Sequence, residues 1–116
     1  MLGSRAYPKA ARVRRRREFL ALQRHGQRRH TPRFVVVQAP ADGPISRLGV
    51  TVSSRVGNAV VRNRVKRLVR EIFRERRRML RQALDIVVIA KPDAAQITHA
   101  QAASELERVL GVTSRS

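Results

Sequence analysis

The segment from residue 58 to 81 limits the possible folds most, because its residues sort onto two chemically opposite sides of a helix. At 100° per residue one side gathers the apolar side chains of Val61, Val65, Leu68, Val69, Ile72 and Phe73, with Met79 continuing it. The opposite side carries Asn63, Arg67, Arg70, Arg74 and Arg81, with Lys66, Arg77 and Arg78 beside them. Asn58 is predicted to cap the first turn. Such a helix must bury its apolar side against a second layer.

The segments before this helix predict a shorter helix and a set of strands. Residues 12–24 have a partial apolar face, and Gly26 follows them where a left-handed C-terminal cap is expected. Residues 33–38 are rich in β-branched side chains, and residues 47–53 alternate apolar and polar positions, so both predict strands. Residues 27–31 predict a short additional edge strand.

The segments after the long helix predict one more strand and one more helix. Residues 85–90 (DIVVIA) are apolar without alternation, which is typical of a strand covered on both faces. Thr98 and Gln101 form the T-x-x-Q pattern of a capping box for a last helix that Gly111 closes. We therefore expect one domain over residues 12–111, with a disordered basic tail at 1–11 and a C-terminal tail at 112–116.

The charge is large, positive and unevenly distributed along the chain. The formal net charge is +18, from 26 Lys and Arg against 8 Asp and Glu. Residues 1–81 hold 23 of the basic and only 4 of the acidic side chains. A compact body this positive repels itself unless polyanions or counterions collect around it. The first two thirds of the chain are therefore predicted to meet a polyanion.

Residues 57–67 (GNAVVRNRVKR) are the strongest candidate for the site of that contact. Guanidinium groups at the start of a helix can hold phosphates, while the Asn63 amide can donate to and accept from a base edge or a 2′-hydroxyl. The alternative is an ordinary solvated charged face, but only Glu71 and Glu75 interrupt the cations. We expect Glu71 to pair with Arg67 and Arg74, and Glu75 with Arg78.

Other kinds of site have little support in the sequence. The chain has no cysteine, and its longest apolar run, residues 86–90, is far shorter than the roughly 20 residues of a membrane span. The histidines are scattered, namely His25, His30 and His99. The carboxylates Asp42, Asp85 and Asp93 show no paired spacing that suggests a two-metal site, and no Gly-rich phosphate loop occurs.

Residues 47–74 (RLGVTVSSRVGNAVVRNRVKRLVREIFR) closely resemble the signature of the bacterial ribonuclease P protein subunit. The hallmark of that family is an R-N-R helix preceded by a strand ending in V-S and a G-N-A-V turn. The resemblance extends upstream to Phe19 and Gly26 and downstream to the final helix. It implies an α/β protein of the two-layer α+β kind, in the order helix, two to three strands, helix, strand, helix. It also implies a four-stranded sheet with a left-handed βαβ crossover, although such crossovers are generally right-handed.

The resemblance also assigns residues to two RNA contacts. The residues matched to the contact with the catalytic RNA are Arg55, Arg62, Asn63, Arg64, Lys66, Arg67, Arg70 and Arg74. Phe19, together with Arg15 and Arg16, is matched to a cleft for the single-stranded 5′ leader of precursor tRNA, where a ring can stack on a base. Core packing is the equally weighted alternative for Phe19. Gln23 and Val37 stand where many members carry aromatics, which favours a cleft that relies more on charge. Ser54 stands where Lys is frequent, so Arg55 is expected to act alone in that turn.

The function that the resemblance implies is that of an accessory subunit rather than a catalyst. We expect the chain to help remove the 5′ leader of precursor tRNA in the cytoplasm, as a monomer in a one-to-one complex with the catalytic RNA. Hydrolysis and Mg²⁺ are then assigned to the RNA. A non-enzymatic RNA-binding protein such as a ribosomal protein is the alternative. An autonomous metal-dependent nuclease is disfavoured, because the sequence shows no carboxylate cluster.

Overall fold

A computed structural model describes residues 16–112 of the chain. Over that range it contains three α-helices and four β-strands in the predicted order. The elements are α1 (Arg16–His25), β1 (Gln27–His30), β2 (Phe34–Pro40), β3 (Arg47–Thr51), α2 (Ala59–Arg76), β4 (Leu84–Ala90) and α3 (His99–Leu110). Short 3₁₀ turns follow α2 at Arg77–Met79 and precede α3 at Pro92–Gln96. None of the helices described is long and apolar enough to cross a membrane.

The four strands form one mixed sheet in the order β1-β2-β4-β3. β2 pairs antiparallel with both β1 and β4, whereas β3 and β4 are parallel neighbours. Parallel neighbours need a long crossover connection, and α2 supplies it between β3 and β4. The predicted α+β fold around a four-stranded sheet is confirmed, and so is the short edge strand β1.

Helices cover both faces of this sheet. The main core lies between α2, α3 and one sheet face, and its centre includes Val65, Val69 and Ile72 of α2, all at most 1% exposed. A smaller core lies on the other face, where Leu22 of α1 packs over Val37 and Val87. The central strand β4 contributes to both cores, as its uninterrupted apolar sequence predicted.

Two predicted details are wrong, for local reasons. Met79 does not continue the buried face of α2 but is 45% exposed, because the α-helix ends at Arg76 and a 3₁₀ turn changes the periodicity. Gly26 does not adopt a left-handed conformation; among the described residues only Gly111 has a positive φ, at 72°. Gly26 is needed for space, since a Cβ there would lie 2.6 Å from the Leu22 carbonyl oxygen.

The structure tests the predicted C-terminal boundary of the domain but not the N-terminal one. The predicted start of the first helix and the tail at 1–11 lie outside the described residues. At the other end, Gly111 closes α3 as predicted, and the N–H groups of both Gly111 and Val112 donate to the Glu107 carbonyl. Val112, which falls in the predicted C-terminal tail, is buried, so the packed part of the domain includes it.

Candidate nucleic-acid interface

The turn into α2 is fixed by the two residues before it. Asn58 is extended and its Oδ1 accepts a hydrogen bond from the Val61 N–H at 3.0 Å, so the predicted cap is confirmed. Gly57 packs closely against Val61, because a Cβ at Gly57 would lie 2.9 Å from the Val61 Cβ. The G-N pair thus determines where α2 begins and which way its first side chains point.

The outer side of α2 presents most of the predicted RNA-contacting residues together. We define the α2 cationic face as Arg62, Asn63, Lys66, Arg67, Arg70 and Arg74; Asn63 and Arg67 are exposed and the other four are partly buried. Arg55, in the turn before the helix, is exposed as well. Within residues 16–112, no carboxylate lies at ion-pairing distance from any of these cations. At 1.5 Å per residue the helix that carries them is about 27 Å long.

Arg64 differs from the other predicted contacts because it binds the protein's own backbone. Its Nη2 donates to the Ile97 carbonyl, and its Nη1 lies 3.5 Å from the Ala95 carbonyl oxygen. These carbonyls belong to the segment that leads into α3, where Ile97 is buried. Arg64 therefore ties α2 to that segment, and any phosphate contact must use the remaining donors of its guanidinium.

The predicted pairing of the two glutamates on α2 is wrong. Glu75 pairs with Arg76, with 2.7 Å between Oε1 and Nη1, and Glu71 lies 4.0 Å from the His99 Nε2. The reason is that Arg76 is buried, with only 6% of its surface exposed, and its charge needs carboxylates nearby. The cationic face is therefore less neutralised than the sequence suggested.

Most of the acidic residues are used to neutralise three arginines of the protein body. Arg33 pairs with Glu105, Arg47 with Glu18 and Asp85, and Arg76 with Glu75 and Glu107. Five of the eight acidic side chains in the sequence are engaged in this way. Three of the five partners are on α1 or α3, namely Glu18, Glu105 and Glu107, so the pairs hold these two helices in place.

The pKa values of these groups follow from their partners. Hydrogen bonds to Asp85 and Glu18 raise the pKa of the Arg47 guanidinium. Burial opposes the charge of Arg76, but its hydrogen bonds to Glu107 and Glu75 outweigh burial and raise its pKa. Burial likewise disfavours the Glu105 carboxylate, yet donors from Thr31 and Arg33 hold the Glu105 pKa below its ordinary value. All three groups therefore stay charged at neutral pH.

The α1 side of the sheet is where the resemblance places the leader cleft. Phe19 is partly buried against the smaller core, and Arg16 is exposed on α1; Arg15 lies outside the described residues. Val37, where relatives carry an aromatic, is fully buried beneath α1, so no base can stack there. Gln23 is partly buried. Phe19 is thus part of a packed cluster and still retains some exposed surface.

A row of residues across the sheet was missed by sequence reasoning. The pairing register aligns His30, Val35, Ile89 and Thr51 across the four strands. Residues paired in this way share a sheet face, and here it is the face of the smaller core. His30 and Thr51 are exposed, and Val35 and Ile89 are partly exposed. We call this row the cross-sheet strip; the sequence gives no sign of it, because it depends on register.

Carboxylates line the space between α1 and the end of the sheet opposite the cross-sheet strip. A cavity of about 260 Å³ there is lined by Glu18, Asp42, Asp85 and Arg47, among others. Because Arg47 is already paired, this cavity is unfavourable for phosphate. Across residues 16–112 no three His, Cys, Asp or Glu side chains are grouped so that they could hold a metal ion.

The fold and the α2 cationic face define a small α+β protein with one basic helix face, which is the kind of surface that nucleic-acid-binding proteins carry. The family model for ribonuclease P matches residues 7–113. The chain is 50% identical, over 82% of its length and 80% of the relative's, to the ribonuclease P protein component of Desulfatibacillum aliphaticivorans. A solved structure of the Staphylococcus aureus RNase P protein superposes with a TM-score of 0.79 at 36% identity, covering 89% of this chain and 94% of that one. For the Thermotoga maritima RNase P protein the TM-score is 0.78 at 33% identity, over 85% and 94%.

The chain belongs to the ribonuclease P protein family. It is an accessory protein component of a ribonucleoprotein endoribonuclease that processes tRNA, and its partner is RNA. The ribosomal-protein alternative is not favoured.

Proposed function

We propose that the α2 cationic face binds the catalytic RNA of ribonuclease P, while the α1 side of the sheet receives the 5′ leader of precursor tRNA. The observation that carries the first part is the absence of carboxylate partners for the cations of this face among the residues described. Unneutralised guanidiniums along a rigid helix gain most from a fixed array of phosphates. Arg55 extends the same surface into the preceding turn.

The leader is assigned to the α1 side on the basis of its chemistry and openness. The partly exposed apolar side chains of the cross-sheet strip, with His30 and Thr51 at its ends, offer a surface for unpaired bases. Phe19 adds a ring beside this surface, and Arg16, with Arg15 before it, supplies charge for the leader phosphates. The cavity at the opposite end of the sheet is lined by carboxylates, which repel phosphates, so the strip is the more suitable path for the leader.

Mg²⁺ is assigned to the RNA partner rather than to this chain. Five of the eight carboxylates are engaged by arginines, which leaves them poorly placed as ligands. The chain then contributes charge neutralisation and positioning, as a monomer bound one-to-one with the catalytic RNA in the cytoplasm. Chemistry at the scissile phosphate is left to the RNA and its metal ions.

Cleavage of precursor tRNA by the cognate RNA at low Mg²⁺, with and without the protein, tests the proposal. Added protein is expected to stimulate cleavage, because its cations replace some of the counterions that folded RNA requires. Equal rates with and without protein would remove the proposal.

The leader assignment has its own test. The protein is expected to increase the affinity of the ribonucleoprotein for precursor tRNA more than for mature tRNA. Arg16→Ala should reduce that preference, whereas Arg108→Ala, an exposed charge on α3, should not. An undiminished preference in the Arg16→Ala variant would count against leader contact at α1.

A further inference from the structure

A basic pocket lies beyond the C-terminal end of α2, next to the α2 cationic face but outside it. It is a pocket of about 390 Å³ between the 3₁₀ turn after α2 and the loop that enters β3. Its lining includes Arg77, Arg78, Arg81, Ile45 and Leu80. That volume is in the range of small-molecule sites, which span roughly 300 to 1,000 Å³. We call it the α2-end pocket.

The charge of this pocket is not neutralised locally. Three of its lining residues are arginines and none is acidic. Over the described part of the chain, no carboxylate is at ion-pairing distance from any of the three. Arg78 and Arg81 are exposed. Arg77 is partly buried, and its Nη1 has no hydrogen-bond partner among residues 16–112. An anion would therefore meet uncommitted guanidinium donors.

A purely structural role is the simplest alternative for these arginines. Cations near the C-terminal end of a helix interact favourably with its dipole, typically by about 0.3–1 kcal/mol. The last turn of α2, however, already contains Arg74 and Arg76, and Arg78 and Arg81 lie beyond its end. The dipole also does not explain why an apolar wall stands beside them, formed by Leu80 and by Ile45, which is 45% exposed.

An apolar wall beside guanidinium groups matches the chemistry of a nucleotide. Guanidiniums bind phosphate through their forked donors and stack on bases, and base stacking is tolerant of sequence. The cavity between α1 and the sheet, lined by three carboxylates, does not have this character.

We propose that the α2-end pocket binds one unpaired nucleotide of the RNA partner. Arg78 and Arg81 hold its phosphate, and its base packs against Ile45 and Leu80. This inference rests on the proposed function, because the nucleotide belongs to the same RNA that meets the α2 cationic face. The pocket lies just beyond Arg74, the last residue of the α2 cationic face, so it continues the RNA contact past the C-terminal end of α2.

Site-directed cross-linking tests the location. Since the chain contains no cysteine, Gln82→Cys provides a single thiol at the pocket rim, to which an azidophenacyl photocross-linker can be attached. Irradiation with the cognate ribonuclease P RNA should mark one discrete RNA segment. Ser104→Cys, exposed on α3, is the control. No cross-link from the pocket rim, or the same segment marked from Ser104→Cys, would overturn the proposal.

Salt-dependent binding tests the energetics. Arg78→Ala and Arg81→Ala should each flatten the slope of log K against log salt, and replacing both should flatten it by about 0.7–0.9, the value of the one phosphate contact that they share. Arg108→Ala removes one exposed cation elsewhere and should leave the slope unchanged. Arg67→Ala, on the α2 cationic face, reports on the proposed function.

The outcomes separate the two proposals. If Arg67→Ala flattens the slope while the two pocket variants behave like Arg108→Ala, the pocket proposal fails and the proposed function stands. A lower melting temperature of the pocket variants with unaltered RNA binding also overturns the pocket proposal, in favour of a helix-end role. If Arg67→Ala has no effect either, the proposed function itself fails.

Discussion

The two sides of α2 use the same residue type for opposite purposes. On the inner side Arg76 is 6% exposed and is held by Glu75 and Glu107, the latter on α3. On the outer side Arg67 is exposed and has no carboxylate partner among the described residues. In a chain so rich in arginine, the few carboxylates therefore decide which arginines stabilise the fold and which remain available for RNA.

The largest effect is expected from placing a charge among the apolar residues of the inner side. Val65→Asp buries a carboxylate with no partner at a position that is 0% exposed, and should unfold the domain. Val60→Asp, on the same helix at a position 77% exposed, is the matched control and should leave the fold intact. Thermal unfolding followed by circular dichroism checks both. Retained stability in Val65→Asp would mean that the two sides of the helix are reversed.

The next effect concerns the buried arginine itself. Arg76→Ala leaves Glu107 without its partner and should lower the free energy of unfolding by about 3 kcal/mol. This is the low end of the range for a broken buried pair, because the side chains of Glu75 and Glu107 keep some contact with solvent. Arg67→Ala removes the same charge from the outer side and should change stability by less than about 0.5 kcal/mol. Urea denaturation measures the difference. Equal stabilities of the two variants would contradict the distinction between the sides.

A smaller effect is expected from acid, through another carboxylate that neutralises a body arginine. In the folded protein the pKa of the Glu105 carboxyl is below its ordinary value. The ionised carboxylate therefore stabilises the fold fully at any pH above the pKa that Glu105 has in the unfolded chain. This stabilisation is lost as the pH falls through the lower pKa of the folded protein. Glu105→Gln should therefore show a shallower loss of stability on acidification. Melting temperatures measured between neutral pH and pH 3 test this. Parallel pH profiles for Glu105→Gln and the unmodified protein would argue against it.

The sequence predicted well whatever depends on local pattern. The helical spacing of residues 61–73, the Asn58 cap, the Thr98 capping box and the two-sided strand β4 all appear in the structure. Their causes lie within a few residues of each other, so one sequence suffices to find them.

What sequence reasoning missed depends on partners distant in the chain. From the sequence, Arg76 is indistinguishable from the surface cations around it. Its carboxylate partner Glu107 is 31 residues later in the chain and reaches the Arg76 guanidinium only when α3 packs against α2. Arg64 likewise finds its carbonyl partners more than 30 residues away. The cross-sheet strip depends on strand register, and the α2-end pocket on how a loop meets the end of a helix. Each arises only from tertiary packing.

The most direct test of the account is the salt dependence of binding to the cognate ribonuclease P RNA, compared between Arg67→Ala and Arg76→Ala at a temperature where both are folded. We expect Arg67→Ala to flatten the slope of log K against log salt by about 0.7–0.9, and Arg76→Ala to keep the slope of the unmodified protein. The same slope for both variants would contradict the claim that, of the two sides of α2, the outer one is available to bind RNA and the inner one is not.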